Sequence, residues 1–214
     1  MRPSPLSRIV GPSALTAGIL IVIAQAMMLP FDPKDHVATT QEPVFRIGGV
    51  LYVVGFCFLL IALVGIWERL DGAAGRFGTP TFLVALVGTF MLGGDLWFET
   101  FAVPWLSDQA PAALDTDPTA LLALGALSSY FLFAAGWALF GIACWRADVF
   151  PAPICLAMAI SGVIGFQALL APWAVPLALS VAALGVWILR TGSPSPDAQR
   201  SPTEASPLPT TPPE

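Results

Sequence analysis

Residues 79–106 read TPTFLVALVGTFMLGGDLWFETFAVPWL. A helix needs about 20 apolar residues to cross a hydrocarbon core of roughly 30 Å, and this run is long enough. Two carboxylates, Asp95 and Glu99, interrupt it four positions apart. An ionisable group in hydrocarbon is costly, so such residues face protein or water and mark functional sites by default. The run sets the fold class and the pair locates the candidate site.

Five further apolar stretches surround it. The expected spans are Ile9–Leu29, Ile47–Trp67, Pro80–Val103, Ala120–Cys144, Ala152–Pro172 and Ala174–Leu189, the last being the shortest. No other span carries a charge in its interior. Only 11% of the chain is charged, less than half of the roughly 25% usual in soluble domains. These features predict an all-α, polytopic membrane bundle of six transmembrane helices over residues 1–190. Residues 191–214, with seven prolines, cannot bury a core and are expected to be a disordered tail.

The arginines set the expected orientation. Arg2, Arg8, Arg69, Arg76, Arg146, Arg190 and Arg200 fall on one side of a six-span chain, and only Lys34 and Arg46 fall on the other. The positive-inside rule then places both termini in the cytoplasm. The acidic residues Asp32, Asp35, Glu42, Asp108, Asp115 and Asp117 gather in the outer loops. Ala24-Gln25-Ala26 mimics a signal-peptide cleavage site, but the apolar run continues through Leu29 and reads as a full span. Spans two and four each carry a tyrosine (Tyr52, Tyr130) and end in Trp plus Arg, which hints at a repeated helix pair of one orientation.

On a helical wheel, Gly88, Met91, Leu92, Asp95, Glu99 and Ala102 share one face of span three. Phe90, Trp97, Phe98, Phe101 and Trp105 share the other, which is expected to face lipid. Small residues also line single faces of span two (Gly48, Gly55 and Ala62, with Tyr52) and span four (Gly125, Gly136 and Ala143, with Ser129). Such faces let helices approach closely. The polar residues of the spans cluster in the outer half: Gln25, Tyr52, Ser129, Tyr130 and Gln167. With Asp95 and Glu99 they are the expected ligand-binding residues of a pocket open to the outside and closed toward the cytoplasm.

No Lys, Arg or His lies inside a span to balance the pair. At least one carboxyl is therefore expected to hold its proton at neutral pH. Such a pair suits a protein that handles a proton, a cation or a small apolar molecule by transport or binding. Two alternatives stand beside this. One is a membrane-embedded enzyme in which Asp95, with Glu99, acts as general acid on an apolar substrate. The other is an accessory or sensor subunit that uses its outer loops and tail to contact a membrane partner. The bilayer is the expected surrounding, and a homo-oligomer is compatible with six short spans.

Several classes are excluded. A net charge of −5 leaves no basic cluster for nucleic acid. Cys57, Cys144 and Cys155 lack metal-ligand spacing and read as small core residues. Asp32, Asp35 and His36 read as a solvated loop, so neither a metal nor a cofactor is expected. No nucleotide loop, HExxH or GxSxG occurs. The segments LYVVGFCFLLIALVGIWER and GGDLWFETFAVPWL resemble those of bacterial multi-pass membrane proteins of uncharacterised function. That resemblance implies a bacterial inner-membrane protein and carries no activity.

Overall fold

A computed structural model describes residues 5–31, 36–114 and 116–191. Asp32, Lys34, Asp35, Asp115 and the tail from 192 onward lie outside the described residues. The described chain is helical and without strands. Its elements are α1 (Pro5–Met28), α2 (His36–Gln41), α3 (Pro43–Leu70), α4 (Gly75–Trp97), a π-helical turn (Phe98–Ala102), α5 (Val103–Gln109) and α6 (Pro111–Leu114). There follow α7 (Ala120–Ala147), α8 (Ala152–Ile164), a 3-10 turn (Gly165–Gln167) and α9 (Val175–Thr191).

Local chemistry explains the boundaries. Pro43 opens α3, where its missing N–H costs nothing. Thr119 caps α7 by accepting a hydrogen bond from the Leu122 N–H at 3.3 Å. Both α3 and α7 end on an aspartate in the left-handed conformation, Asp71 (φ 40°) and Asp148 (φ 53°). Their N–H groups fold back onto Glu68 and Trp145. A short polar side chain makes that backbone region accessible, and the shared ending matches the Trp-Arg termini of the two spans.

Four helical stretches are long and apolar enough to cross a membrane: Arg8–Met28, Pro43–Leu70, Gly75–Gln109 and Ala120–Ala147. The remaining two, Ala152–Gln167 and Val175–Thr191, are shorter, about 25 Å at 1.5 Å per residue. The fifth expected span therefore stops early: α8 ends at Ile164, and residues 168–174 form consecutive turns before α9.

Sequential helices pack antiparallel and α9 returns to α1, closing a six-membered ring. The ring divides into two trios, α9–α1–α3 and α4–α7–α8. They join where α3 meets α4 and where α8 meets α9. Glycines make the tight crossings possible. A Cβ on Gly136 would stand 2.5 Å from the Ala85 Cα, and one on Gly18 would stand 2.5 Å from the Ala182 Cβ. Gly88 abuts the backbone of Leu132 and Phe133 in the same manner. These contacts replace the hydrophobic drive that is missing between helices in lipid.

The antiparallel ring gathers Arg8, Arg69, Arg76, Arg146 and Arg190 at one end. The connections carrying Glu42, Asp108 and Asp117 lie at the other. The arginine end is filled by an unbroken run of aromatic rings. From Trp67 it passes to Phe82 (4.8 Å, stacked), Phe140, Trp137 and Phe133, then to Phe56 and Tyr52. Trp137 is fully buried, and its Nε1–H donates to Thr89 Oγ1 at 2.9 Å while Thr89 donates to the Ala85 carbonyl. Phe90, Trp97, Phe98, Phe101 and Trp105 are exposed on the outer face of the ring, Phe90 at 71%, as the wheel placed them.

Substituting Gly136 with alanine should destabilise the protein by about 1–3 kcal/mol, because the crossing has no room to yield. Gly125→Ala, in open space, should be neutral or stabilising by up to about 1 kcal/mol through helix propensity. Reversible unfolding of both variants in mixed micelles checks the difference.

Candidate functional site

A cavity of about 320 Å³ lies at the acidic end of the bundle, between the two trios. One wall is α4 and the π turn, through Leu96, Glu99 and Thr100. Facing it are Phe31 after α1, Phe45 of α3 and Tyr130 of α7. The turn segment closes it with Leu169, Leu170 and Ala171, and α2 adds Thr39. Phe31 and Phe45 meet edge to face, ring centres 5.6 Å apart. The α2 connection is fastened over the site: Arg46 Nε donates to the Thr40 carbonyl at 2.9 Å, and Gln41 Nε2 reaches Asp108 Oδ1 at 3.5 Å.

Glu99 reaches this wall through the π turn. Proline at 104 has no N–H, and its ring collides with the carbonyl four residues back, that of Thr100. The helix relaxes by widening one turn, and Val103 N–H bonds to the Phe98 carbonyl five residues back. Single π turns recur at functional sites because they re-aim side chains without ending the helix. Here the helix runs on to Gln109.

Asp95 occupies a different environment. Ser129 and Asp95 are joined by a short hydrogen bond across α4 and α7. Ser129 Oγ also lies 2.8 Å from the Ala126 carbonyl. The Ser129 hydroxyl is the donor toward both, its one proton shared between the Asp95 carboxyl and that carbonyl. Asp95 is half-buried, outside the cavity wall. Both carboxylates lie within electrostatic reach of the Tyr130 hydroxyl.

The remaining expected site residues divide. Tyr52 and Gln25 are buried, at 0% and 1% exposure, but neither lines the cavity. The Tyr52 hydroxyl donates to the Ala168 carbonyl. Gln25 Nε2 donates to the same carbonyl at 3.3 Å, and Gln25 Oε1 accepts from the Ala174 N–H at 3.5 Å. These two side chains hold both ends of the turn segment. Ala168 sits level with Tyr52, about 13 Å below the start of α3 at 1.5 Å per residue. Irregular backbone at such a depth needs protein partners for its polar groups. Gln167 is exposed on the 3-10 turn and is not brought to the site. Phe166 beside it packs on Tyr130 and Phe131, ring centres 6.0 and 4.9 Å away.

Sequence reasoning missed the apolar walls of the cavity, since Phe31 and Phe45 sit in the first expected loop and Leu169–Ala171 sit inside the expected fifth span. It also missed the π turn, whose signal is Pro104 inside a helical pattern. Among the described residues no cluster of His, Cys, Asp and Glu could hold a metal ion. No protein-family model matches the sequence, and no curated protein or solved structure is significantly similar to it.

Two predictions follow the two kinds of contact. Tyr52→Phe keeps its packing on Phe56 and loses one hydrogen bond, costing about 0.5–1.5 kcal/mol. Combined with Gln25→Ala, the loss should exceed the sum of the single losses by at least about 0.5 kcal/mol, because each side chain covers for the other at the Ala168 carbonyl. A double-mutant cycle of unfolding free energies reads this directly. At the other contact, Asp95→Asn keeps a side-chain oxygen to accept from the Ser129 hydroxyl and should keep stability within about 0.5 kcal/mol. Asp95→Ala should lose about 1–3 kcal/mol. An asparagine variant as unstable as the alanine variant would show that the bond to Ser129 is not what holds this contact.

Proposed function

We propose that this is a bacterial inner-membrane protein of six crossings, with both termini cytoplasmic and an outward-facing pocket. The pocket binds a small molecule, cation or proton for uptake, extrusion or sensing. The observation that carries the reading is the cavity at the acidic end with Glu99 in its wall. Asp95 lies one helical turn further into the bundle. The gathering of arginines at the opposite end supports the orientation. The aromatic filling of that end supports closure toward the cytoplasm.

The enzyme reading has less support. A general acid must reach the reacting atom, and the cavity wall is made by Leu96, Glu99 and Thr100, not Asp95. The accessory-subunit reading leans on the acidic outer loops and on the tail, and the tail lies outside the described residues.

The orientation is tested by single cysteines in a background with Cys57, Cys144 and Cys155 changed to alanine. Gln109→Cys and Asp117→Cys should react with a membrane-impermeant maleimide in intact cells. Ala73→Cys and Thr191→Cys should react only after permeabilisation. The reverse pattern would invert the orientation. Labelling of Thr191→Cys from outside, with Ala73→Cys protected, would require an odd number of crossings.

A further inference from the structure

We infer that the cavity opens sideways into the outer leaflet, between the turn segment and the outer half of α7, and takes from it an uncharged amphiphile. The polar group of that ligand lies at Thr100 and Tyr130, and its apolar body lies against Phe31, Phe45 and Leu96. This rests on the pocket reading above and adds the ligand class and the route of entry.

The opening follows from the length of α8. Gly162 of α8 meets Trp137 and Ala138 of α7, and Gly165 reaches the Phe133 ring. There α8 has ended, while α7 continues outward from Leu132 to Ala120, about 20 Å at 1.5 Å per residue. Phe166 still packs on Tyr130 and Phe131. Beyond that level α7 has lost its α8 neighbour. Every residue from Ala120 to Gly125 is exposed, Leu121 at 80%, and Gly125 has open space where a Cβ would stand. From α7 the cavity wall takes Tyr130 alone. The outer half of the helix thus stands off from the cavity and leaves that flank uncovered.

The rim is apolar and lies at hydrocarbon depth. Leu29 and Leu170 line the cavity and are 58% and 40% exposed. With Trp145 and Arg146 at the inner boundary, a hydrocarbon core of roughly 30 Å extends along α7 to about Gly125. Tyr130 lies about 7 Å inside that limit. An opening at this depth meets acyl chains.

The wall then selects by charge. Its described residues include no Lys, Arg or His, so an anion has no partner there. Glu99 is not an open counter-charge, because it has an interaction of its own within the protein. A buried charge without a dedicated partner is costly, so the ligand that arrives from hydrocarbon is uncharged. The hydroxyls of Thr100 and Tyr130 both donate and accept, which suits a hydroxyl or carbonyl group. Most of the remaining lining is apolar. A volume of about 320 Å³ lies at the lower end of the roughly 300–1,000 Å³ range of small-molecule sites. It holds one short chain or ring, not an entire phospholipid.

The test uses the full chain in phosphatidylcholine liposomes. Spin labels at Leu29→Cys and Leu170→Cys, in the background without native cysteines, report what the rim faces. Relaxation by oxygen should exceed relaxation by a water-soluble nickel chelate, as at Leu179→Cys on the exposed face of α9. The reverse order, as expected at Asp117→Cys, would overturn the opening to the bilayer and leave a pocket that faces water. The ligand class is read on the wild type by photolabelling with decanol carrying a mid-chain diazirine, and with its trimethylammonium and carboxylate analogues at matched bilayer content. The alcohol should label wall residues, mapped by mass spectrometry, about tenfold more than either charged probe. Leu169→Trp should remove the signal by filling the space. Equal or stronger labelling by a charged probe would overturn the uncharged class. Labelling of the wall by none of the three would overturn the pocket reading as well. The three-probe comparison decides the class even if Leu169→Trp fails to fold.

Discussion

The arrangement depends on one constraint: backbone polar groups withdrawn from water need partners inside the protein. Helices meet it by their own hydrogen bonds, and most of this chain is helix. The exception is the segment from Ala168 to Ala174, where α8 has ended and α9 has not begun. Its Ala168 carbonyl and Ala174 N–H are met by Tyr52 from α3 and Gln25 from α1, and backbone bonds within the turns, such as Trp173 N–H to the Leu170 carbonyl, meet others. Because those anchors sit below the helix ends, the segment folds inward. Folded inward, it presents Leu169, Leu170 and Ala171 as a wall. The cavity is thus a consequence of how a short helix is connected, and the two polar side chains that look like ligand contacts are what hold its wall in place.

The same logic explains the uneven packing of the ring. Where two helices exchange glycines and alanines, as at Gly136 on Ala85 and Gly18 on Ala182, they leave no space between them. The two trios form in this way, each around a central helix, α1 or α7. The joints between trios are looser, and near the arginine end aromatic rings fill the gap. Phe82 of α4 stacks on Trp67 of α3, and Phe56 of α3 stacks on Phe133 of α7. Toward the acidic end the unbroken run of rings stops at Tyr52, and the cavity lies beyond it, with Phe31, Phe45 and Tyr130 in its lining.

Much of this was legible in the sequence because hydrophobic periodicity reports directly on helix faces. The wheel of residues 80–103 separated the exposed aromatics from Leu92 and Gly88, and the small-residue faces at Tyr52 and Ser129 turned out to be buried except at Gly125, which is exposed. What the sequence hid was connection geometry. Ala152–Pro172 reads as one apolar run, and nothing in its composition marks the turn at Gly165, since Ala168 and Leu169 suit helix and turn alike. Gln25 and Tyr52 were grouped with the ligand residues because polarity at a given depth does not distinguish a ligand from a stretch of backbone. Gln167 was misplaced for a related reason: the 3-10 turn rotates it outward. Pro104 carried the signal of the π turn, yet proline near a span end reads equally well as the end itself.

The two carboxyls have different neighbours although only four positions separate them. On an ideal helix, positions 95 and 99 share a face and would compete for the same surroundings. A like-charged pair in one pocket would need two protons, two cations or one shared proton. Asp95 meets Ser129 of α7, and Glu99 stands in the cavity wall with Thr100 and Tyr130. The two carboxyls still act on each other and on Tyr130 through space. The helix is widened at Phe98–Ala102, where Pro104 supplies no N–H, so the neighbours of position 99 depend on that turn as well as on the four-residue spacing.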